Sequence, residues 1–208
     1  MARYTDSVCR QCRREGEKLF LKGERCYSAK CAVVKRHTIP GQHGQGRQRK
    51  QSEYGIQLRE KQKLRRAYGV LESQFRKYYE MAANMRGATG ENMLSLLERR
   101  LDNVVYRLGL AESRPMARQM VNHGHILVNG KRCDIPSAHV KVGTVITLKE
   151  DSRSNEMYKK SFQELKAFDV PYVEKNFDGF EGTLTRMPER DEIPVEINET
   201  LIVELYSK

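Results

Sequence analysis

Four cysteines near the start of the chain constrain its fold more than any other feature. They form two pairs, spaced C-x2-C and C-x4-C with thirteen residues between the pairs, and they are Cys9, Cys12, Cys26 and Cys31. The segment around them has few apolar residues of its own, chiefly Leu19, Phe20 and Leu21. So small a core cannot hold a segment of this length in one conformation. Residues 1–36 are therefore predicted to form an arm that a bound metal or a covalent cross-link stabilises.

Several uses of such a cysteine set remain open from the residues alone. Two short-spaced pairs can bring four thiolates to one point, which is the ligand set of a structural zinc site. An iron–sulfur cluster also takes four cysteines, and the spacing does not distinguish it from zinc. Disulfides are disfavoured because the N-terminus has no apolar signal segment, which predicts a reducing compartment. A thioredoxin-like redox pair is disfavoured because no βαβ pattern surrounds the motif.

The residues between the cysteines are strongly basic, and this bears on the thiols. Nearby Arg and Lys are expected to lower thiol pKa values and so to favour the thiolates that bind metal. His43 is not needed as a ligand, since four cysteines already complete a site. The fifth cysteine, Cys133, lies far from the others in sequence and is more typical of a small buried residue than of a nucleophile.

The whole chain has a formal net charge of +11, and its positive charge is concentrated in the first half. Residues 1–100 contain 23 Lys and Arg against 10 Asp and Glu, whereas residues 101–208 contain 15 against 17. Such asymmetry predicts a polyanionic partner, nucleic acid before an anionic membrane surface. A run of about 18 apolar residues, as a transmembrane helix needs, does not occur in the sequence. Phosphate-binding loops, nucleophile elbows and zinc-protease motifs do not occur either, so an enzyme is not predicted.

Periodic patterns predict the elements that follow the arm. Residues 37–52 are predicted to form a basic, Gly-rich loop. Apolar residues at helical spacing predict helices over 53–86, with a break at Gly69, and over 91–108. A short helix capped by Ser113, an Asn129-Gly130 hairpin, a strand, a polar helix over 154–168, two more strands and a terminal helix over 197–206 complete the prediction.

Two groups of basic residues in the first half are predicted to contact nucleic acid. One follows PGQHG, where glycines let the backbone approach a phosphate, and contains Arg47, Arg49 and Lys50. The other lies in the arm and on the polar face of the helix that starts near residue 53, and contains Arg3, Arg13, Arg14, Arg59, Lys63, Arg65 and Arg66. The plainer alternatives are a flexible linker and a solvated helix face.

A third group lies on the predicted helix and hairpin that start at Ser113. Arg114 and Arg118 are four residues apart, so they share one helix face. The helix N-terminus offers backbone N–H groups to a phosphate. The whole group consists of Ser113, Arg114, Arg118, Gln119, Asn122, His123, Lys131 and Arg132. On this basis we expect Arg118→Ala to weaken RNA binding and to leave the melting temperature nearly unchanged.

Long motifs in this sequence resemble one family. GENMLSLLERRLDNVVYRLGLAESRPMARQMVNHGHILVNGKR is similar to the RNA-binding module of the S-four family of small-subunit ribosomal proteins. PGQHG, YGVLESQFRKYYEMA and EINETLIVELYSK resemble other parts of the same family, so the resemblance covers essentially the whole chain. The module also occurs in tRNA synthetases and pseudouridine synthases, but those need a catalytic domain for which this chain has no room.

The resemblance implies an α+β fold. It consists of a mainly helical N-terminal domain with a four-cysteine metal knuckle, and an inserted α/β RNA-binding domain with a small, mainly antiparallel sheet. The predicted parts are an arm (1–36), a loop (37–52), a helical domain (53–92) completed by the tail (189–208), and the inserted domain (93–188), whose RNA-binding module covers about 99–150.

The resemblance also implies a function. Such proteins are non-enzymatic components of the small subunit in the cytoplasm, and they bind its ribosomal RNA early, nucleate assembly of the subunit body and contact neighbouring ribosomal proteins. Arg47, Arg49 and Lys50 would face messenger RNA near the point where it enters, with a role in translational accuracy. Cysteine-bearing members hold one structural zinc. A zinc-bearing DNA-binding regulator and an RNA-modifying enzyme are the alternatives.

Overall fold

A computed structural model describes residues 3–46, 50–164 and 170–207 of the chain. The chain forms two compact units: the first comprises Met1–Asn92 and Val195–Lys208, and the second comprises Met93–Pro194. Helices long and apolar enough to cross a membrane do not occur in the described ranges. The finer division into arm, loop, helical domain and inserted domain stays a prediction.

The first unit is helical. Its elements are α1 (Cys9–Glu15), α2 (Glu24–Tyr27), α3 (Ala32–Lys35), a 3-10 helix (Gln42–Gln45), α4 (Glu53–Ala67), α5 (Glu72–Ala83), the start of α6 (Thr89–Glu98), and α11 (Glu199–Ser207). Ser52 caps α4 by accepting a hydrogen bond from the Gly55 amide at 3.2 Å. The predicted break at Gly69 is confirmed, because this residue has a φ of +63°, which glycine adopts readily.

The C-terminal helix packs against the body of the first unit. Gln57, fully buried in α4, donates to the Glu204 carboxylate of α11 at 2.9 Å. The ring of Tyr206 stacks on that of Tyr79, with centroids 4.7 Å apart. The predicted terminal helix over 197–206 is thus confirmed, and it closes the helical unit from the far end of the chain.

The second unit combines helices with a sheet. Its further elements are α7 (Leu101–Arg107), α8 (Arg114–Asn122), β1 (Ile126–Val128), β2 (Lys131–Arg132), β3 (Val145–Leu148), α9 (Glu150–Arg153), α10 (Glu156–Glu164), β4 (Val173–Asn176), β5 (Glu181–Leu184) and a 3-10 helix (Arg190–Glu192). The sheet is antiparallel throughout, in the order β2-β1-β3-β5-β4. The predicted mixture of helices with a small antiparallel sheet is therefore confirmed, while the last part of the predicted polar helix, 165–168, lies outside the described residues.

Local signals in this unit behave as predicted. The Ser113 hydroxyl caps α8 by accepting from the Met116 amide at 3.4 Å. Asn129 and Gly130 have φ values of +48° and +77°, as a type I′ turn requires, and they join β1 to β2. Gly109, with a φ of +78°, ends α7.

The single helix predicted over 91–108 is wrong, because the structure has two helices there. The amides of Leu101 and Asp102 donate to the carbonyl groups of Ala138 and Pro136, at 2.9 and 3.1 Å, instead of continuing the preceding helix. Arg100 between the helices is extended, with φ −65° and ψ 137°. The apolar residues on which the helix prediction was based are nevertheless buried on both sides of the break. The apolar pattern therefore identified core residues correctly, although it did not show the break.

Candidate nucleic-acid interface

The arm brings the four predicted cysteines to one place. They come from α1, α2 and the start of α3, and they line a single small cavity. Cys12, Cys26 and Cys31 are buried, and Cys9 is half-buried. The amide of Lys22 donates to the Cys26 sulfur at 3.3 Å. Short helical turns, rather than a hydrophobic core, thus position these side chains.

Burial controls the thiol pKa values in this cavity. It raises the pKa of Cys12 to about 11, against a hydrogen bond from the Leu19 backbone and with further upward effects of the neighbouring thiols. Burial also raises the pKa of Cys26 above its ordinary value. The pKa values of both thiols lie above the ordinary value, not below it as the surrounding cations led us to expect, because desolvation has the largest effect on both.

The donor set matches a zinc or iron–sulfur site in its chemistry. In the part of the chain that the structure describes, however, no group of three or more His, Cys, Asp or Glu side chains has the geometry to hold a metal ion. The fifth cysteine, Cys133, packs against the core of the second unit.

A basic cleft lies beside the cysteines. Seven cations from α1, α2, α3 and their connections line it: Arg10, Arg13, Lys22, Arg25, Lys30, Lys35 and Arg36. None of the described residues that line it is acidic. Arg13 is fixed there by donating to the Thr38 carbonyl from Nε and Nη2, at 3.0 and 2.8 Å. A concave surface lined by one sign of charge concentrates polyanions.

Of these seven cations, only Arg13 is among the individual RNA-contact residues predicted above. The signal for the others was present, since most of them alternate with the cysteines. Gathering the cysteines also gathers the residues between them, but the sequence alone does not show which side of the arm they occupy. Arg14, also predicted, is exposed but does not line the cleft, and Arg3 is exposed near the N-terminus.

The basic row on α4 is not the exposed face that the sequence predicted. Arg59 and Arg66 both pair with the carboxylate of Glu15, the former at 3.4 Å. Lys63 pairs with Glu17 at 2.6 Å, and Arg65 donates to Gln62 at 2.6 Å. All four cations are partly buried. Acidic residues at the end of α1 and beyond it pair with Arg59, Lys63 and Arg66, whereas Arg65 lies 3.5 Å from the Glu72 carboxylate of α5. Their role as RNA contacts stays a prediction.

Burial has the largest effect on the pKa of Glu15, the carboxylate with which Arg59 and Arg66 pair. The side chain of Glu15 is only 2% exposed, and burial raises its pKa, although Arg66 and Arg59 act in the opposite direction. Glu15 therefore ties the cysteine arm to α4.

Arg114 and Arg118 on α8 require a correction as well. They are only 8% and 7% exposed, so they do not form the open basic surface that their spacing predicted. Arg118 lies 3.4 Å from an oxygen of Asp102, and Arg114 donates to the Asn103 side chain at 2.7 Å. Both guanidinium groups are thus directed into the protein by partners on α7.

What remains exposed around α8 is a narrower polar strip. It consists of Gln119, Asn122, His123, Lys131 and Arg132. Ser113 is buried, and its hydroxyl is used by the helix cap. The strip offers amide, imidazole and cationic groups, which suit polar recognition of a nucleic acid.

The loop after the arm is only partly described. Arg47 and Arg49 lie outside the described residues, and Lys50 is exposed. Gly44 lies so close to the Ile39 carbonyl that a side chain would not fit. A close backbone approach therefore shapes the PGQHG segment.

Known proteins are similar to this chain over its whole length. Residues 3–98 match the ribosomal protein S4/S9 N-terminal domain, and residues 99–146 match the S4 domain. The small ribosomal subunit protein uS4 of Clostridioides difficile (strain 630) is 60% identical over 208 residues, all of both chains. The uS4A protein of Clostridium novyi (strain NT) is also 60% identical, and the uS4 protein of Syntrophomonas wolfei is 57% identical, each over the full length of both chains. The chain therefore belongs to the uS4 family of small ribosomal subunit proteins.

Proposed function

We propose that the protein is a structural, non-enzymatic component of the small ribosomal subunit that binds its ribosomal RNA and nucleates assembly of the subunit body. It acts in the cytoplasm, on the ribosome, beside neighbouring small-subunit ribosomal proteins. Family membership supports this function. The observation that carries it is the cleft lined by seven cations and, among its described residues, by no carboxylate.

The cleft and the polar strip would contribute to RNA binding in different ways. Arginine and lysine in the cleft neutralise phosphates and release counterions, which supplies affinity without sequence preference. The exposed amides of Gln119 and Asn122 can reach 2′-hydroxyl groups and base edges of folded RNA. Structured RNA is recognised by such contacts because its deep groove is closed to side chains.

A matched-charge comparison tests the cleft. Arg25→Gln with Lys30→Gln should weaken binding to isolated small-subunit ribosomal RNA and flatten the dependence of log K on log salt by about one to two units. The control removes the same charge from the exposed α5 residues Arg76 and Lys77 and should leave the slope unchanged. Equal effects of the two pairs, or stronger binding to duplex DNA than to ribosomal RNA, would contradict the proposal.

We further propose that the four cysteines hold one structural zinc ion. Their convergence on one cavity and their all-sulfur donor chemistry support this, and an iron–sulfur cluster is the alternative. The ion would stabilise an arm that has little core, and the folded arm would hold the cleft cations in place. Elemental analysis of purified protein should find one zinc per chain. Iron with acid-labile sulfide, or no metal at all, would contradict it.

A third proposal concerns messenger RNA. We propose that the loop after PGQHG faces messenger RNA near the point where it enters the subunit, and that this contact supports translational accuracy. The exposed Lys50 and the sequence neighbours Arg47 and Arg49 support it by their charge. Subunits reconstituted with all three changed to alanine should bind ribosomal RNA normally and translate slowly through a messenger hairpin. Unchanged speed through the hairpin would argue against it.

A further inference from the structure

A second cleft lies in the second unit, at one edge of its sheet. Four elements meet there, since His125 precedes β1, Arg132 ends β2, Lys149 follows β3 and Tyr158 belongs to α10. The Lys149 amide donates to the His125 carbonyl at 2.9 Å, which ties two of these elements together. Among its residues only His123 and Arg132 were predicted from the sequence, because the residues that line the cleft are spread over more than thirty positions.

Aromatic rings form much of the wall. The rings of His125 and Tyr158 are 5.7 Å apart and tilted, and the exposed ring of His123 lies 6.0 Å from that of His125. His125 is held in place by a 2.8 Å hydrogen bond between Nδ1 and the Ser152 hydroxyl. In the described part of the chain, the Tyr158 hydroxyl makes no hydrogen bond, although its ring packs against the core. The rings of His125 and Tyr158, with the polar Tyr158 hydroxyl beside them, form a surface on which a flat aromatic ligand can stack.

Polar groups stand at the rim of the same cleft. Arg132 is exposed, and its guanidinium group lies against the backbone of Gly124. Lys149 and Asp151 pair at 2.6 Å, so they place a donor and an acceptor side by side. Burial lowers the pKa of His125, as do the charges of His123 and Lys149, and this favours the uncharged imidazole.

We propose that this cleft holds one unpaired base of ribosomal RNA, stacked on the rings of His125 and Tyr158, with Arg132 contacting a flanking phosphate. The proposal rests on the ribosomal RNA function and names a specific subsite for it. Unstacked bases are what proteins read by aromatic stacking in folded RNA, whereas paired bases are not accessible to such rings.

The ring of Tyr158 provides the sharpest test. Tyr158→Leu in the full chain should weaken binding to isolated small-subunit ribosomal RNA by about 5- to 100-fold, the usual effect of losing one stacked base. Leucine retains apolar packing, so the melting temperature should change little. Tyr158→Phe keeps the ring and should bind like the natural protein. Arg132→Gln should lower the salt slope by about one, which Tyr158→Leu should not do.

Base accessibility gives a second readout. One base that reacts with a reagent for unpaired bases should become protected when the natural protein binds, and Tyr158→Leu should restore its reactivity. Equal affinity of Tyr158→Leu and the natural protein would overturn the proposal, as would equal losses in the leucine and phenylalanine variants. Failure of the natural protein to bind the RNA would instead refute the proposed function itself.

Discussion

Two buried arginine–carboxylate clusters in the second unit show that an arginine can stabilise the fold instead of forming a basic surface. Arg107 donates to both carboxylate oxygens of Glu98, at 2.9 and 2.6 Å, with both side chains almost fully buried. Asp102 pairs with Arg100 at 2.7 Å and with Arg118 at 3.4 Å. Removing one partner of a buried ion pair leaves the other charge uncompensated, which is costly. These arginines therefore belong to the structure of the unit.

The first prediction reverses what the sequence suggested for Arg118. Arg118→Ala should lower the free energy of unfolding by about 1–3 kcal/mol, because Asp102 loses a charged partner in a buried site. Lys141→Ala, at an exposed position of the same unit, should change it by no more than about 0.5 kcal/mol. Urea denaturation measures both. Weaker RNA binding with an unchanged unfolding curve would restore the original expectation of an RNA contact.

A second prediction concerns Gly182 in β5. A Cβ atom there would overlap the Leu108 side chain and lie 2.8 Å from the Glu174 carbonyl oxygen. Gly182→Ala should therefore destabilise the protein by about 1–3 kcal/mol through overpacking. Gly46→Ala, at an exposed position with φ −70°, is the control and should be nearly neutral in the same thermal melt. An unchanged melting temperature for Gly182→Ala would show that Leu108 can move aside.

At the scale of elements, Glu72 joins three helices of the first unit. Its carboxylate at the start of α5 accepts from Lys61 of α4 at 2.6 Å and from the Tyr206 hydroxyl of α11 at 2.9 Å. Burial alone would raise the pKa of Glu72, but the hydrogen bonds from Lys61 and Tyr206 together lower it. The ionised carboxylate thus stabilises the docking of the C-terminal helix.

The third prediction follows from the sign of that shift. Because the folded state lowers the pKa of Glu72, the stabilisation is fully present above the ordinary carboxyl value of 4.5 and is lost as pH falls through the folded value. Glu72→Gln should therefore lower the melting temperature near neutral pH and flatten its decline below about pH 4.5. The effect should not exceed about 1 kcal/mol, since Glu72 is 47% exposed. Parallel pH profiles for the two proteins would contradict the assignment.

At the scale of the whole molecule, the two units have separate sources of stability. The second has a continuous apolar core formed by helices and the sheet. The first relies on packing of α11 against α4 and, in its arm, on the cysteine cavity and the Glu15 ion pairs. Loss of the arm should therefore leave the core of the second unit intact.

The fourth prediction tests this separation. Cys9→Ser should release the proposed zinc and remove hydrogen-exchange protection from amides of residues 9–35, since a structural zinc site supplies about 10–16 kcal/mol of apparent folding free energy. Amides of residues 93–194 should keep their protection. Ser7→Ala, close in sequence but without a sulfur, is the control and should change neither region. Loss of protection in both regions would show one cooperative unit.

The sequence by itself determined the local elements and the family. Caps, glycines and apolar periodicity act over a few residues, so α4, α5, α8, the hairpin and α11 could be read directly from the pattern. Only the tertiary structure decided which cations face solvent, because a carboxylate distant in sequence, such as Glu15 or Asp102, can neutralise an arginine that looks exposed on its own helix. The break before α7 has the same origin, since carbonyl groups about 35 residues away replace the helical hydrogen bonds. Charge and hydrogen bonding act through space, and a linear pattern records only neighbours along the chain.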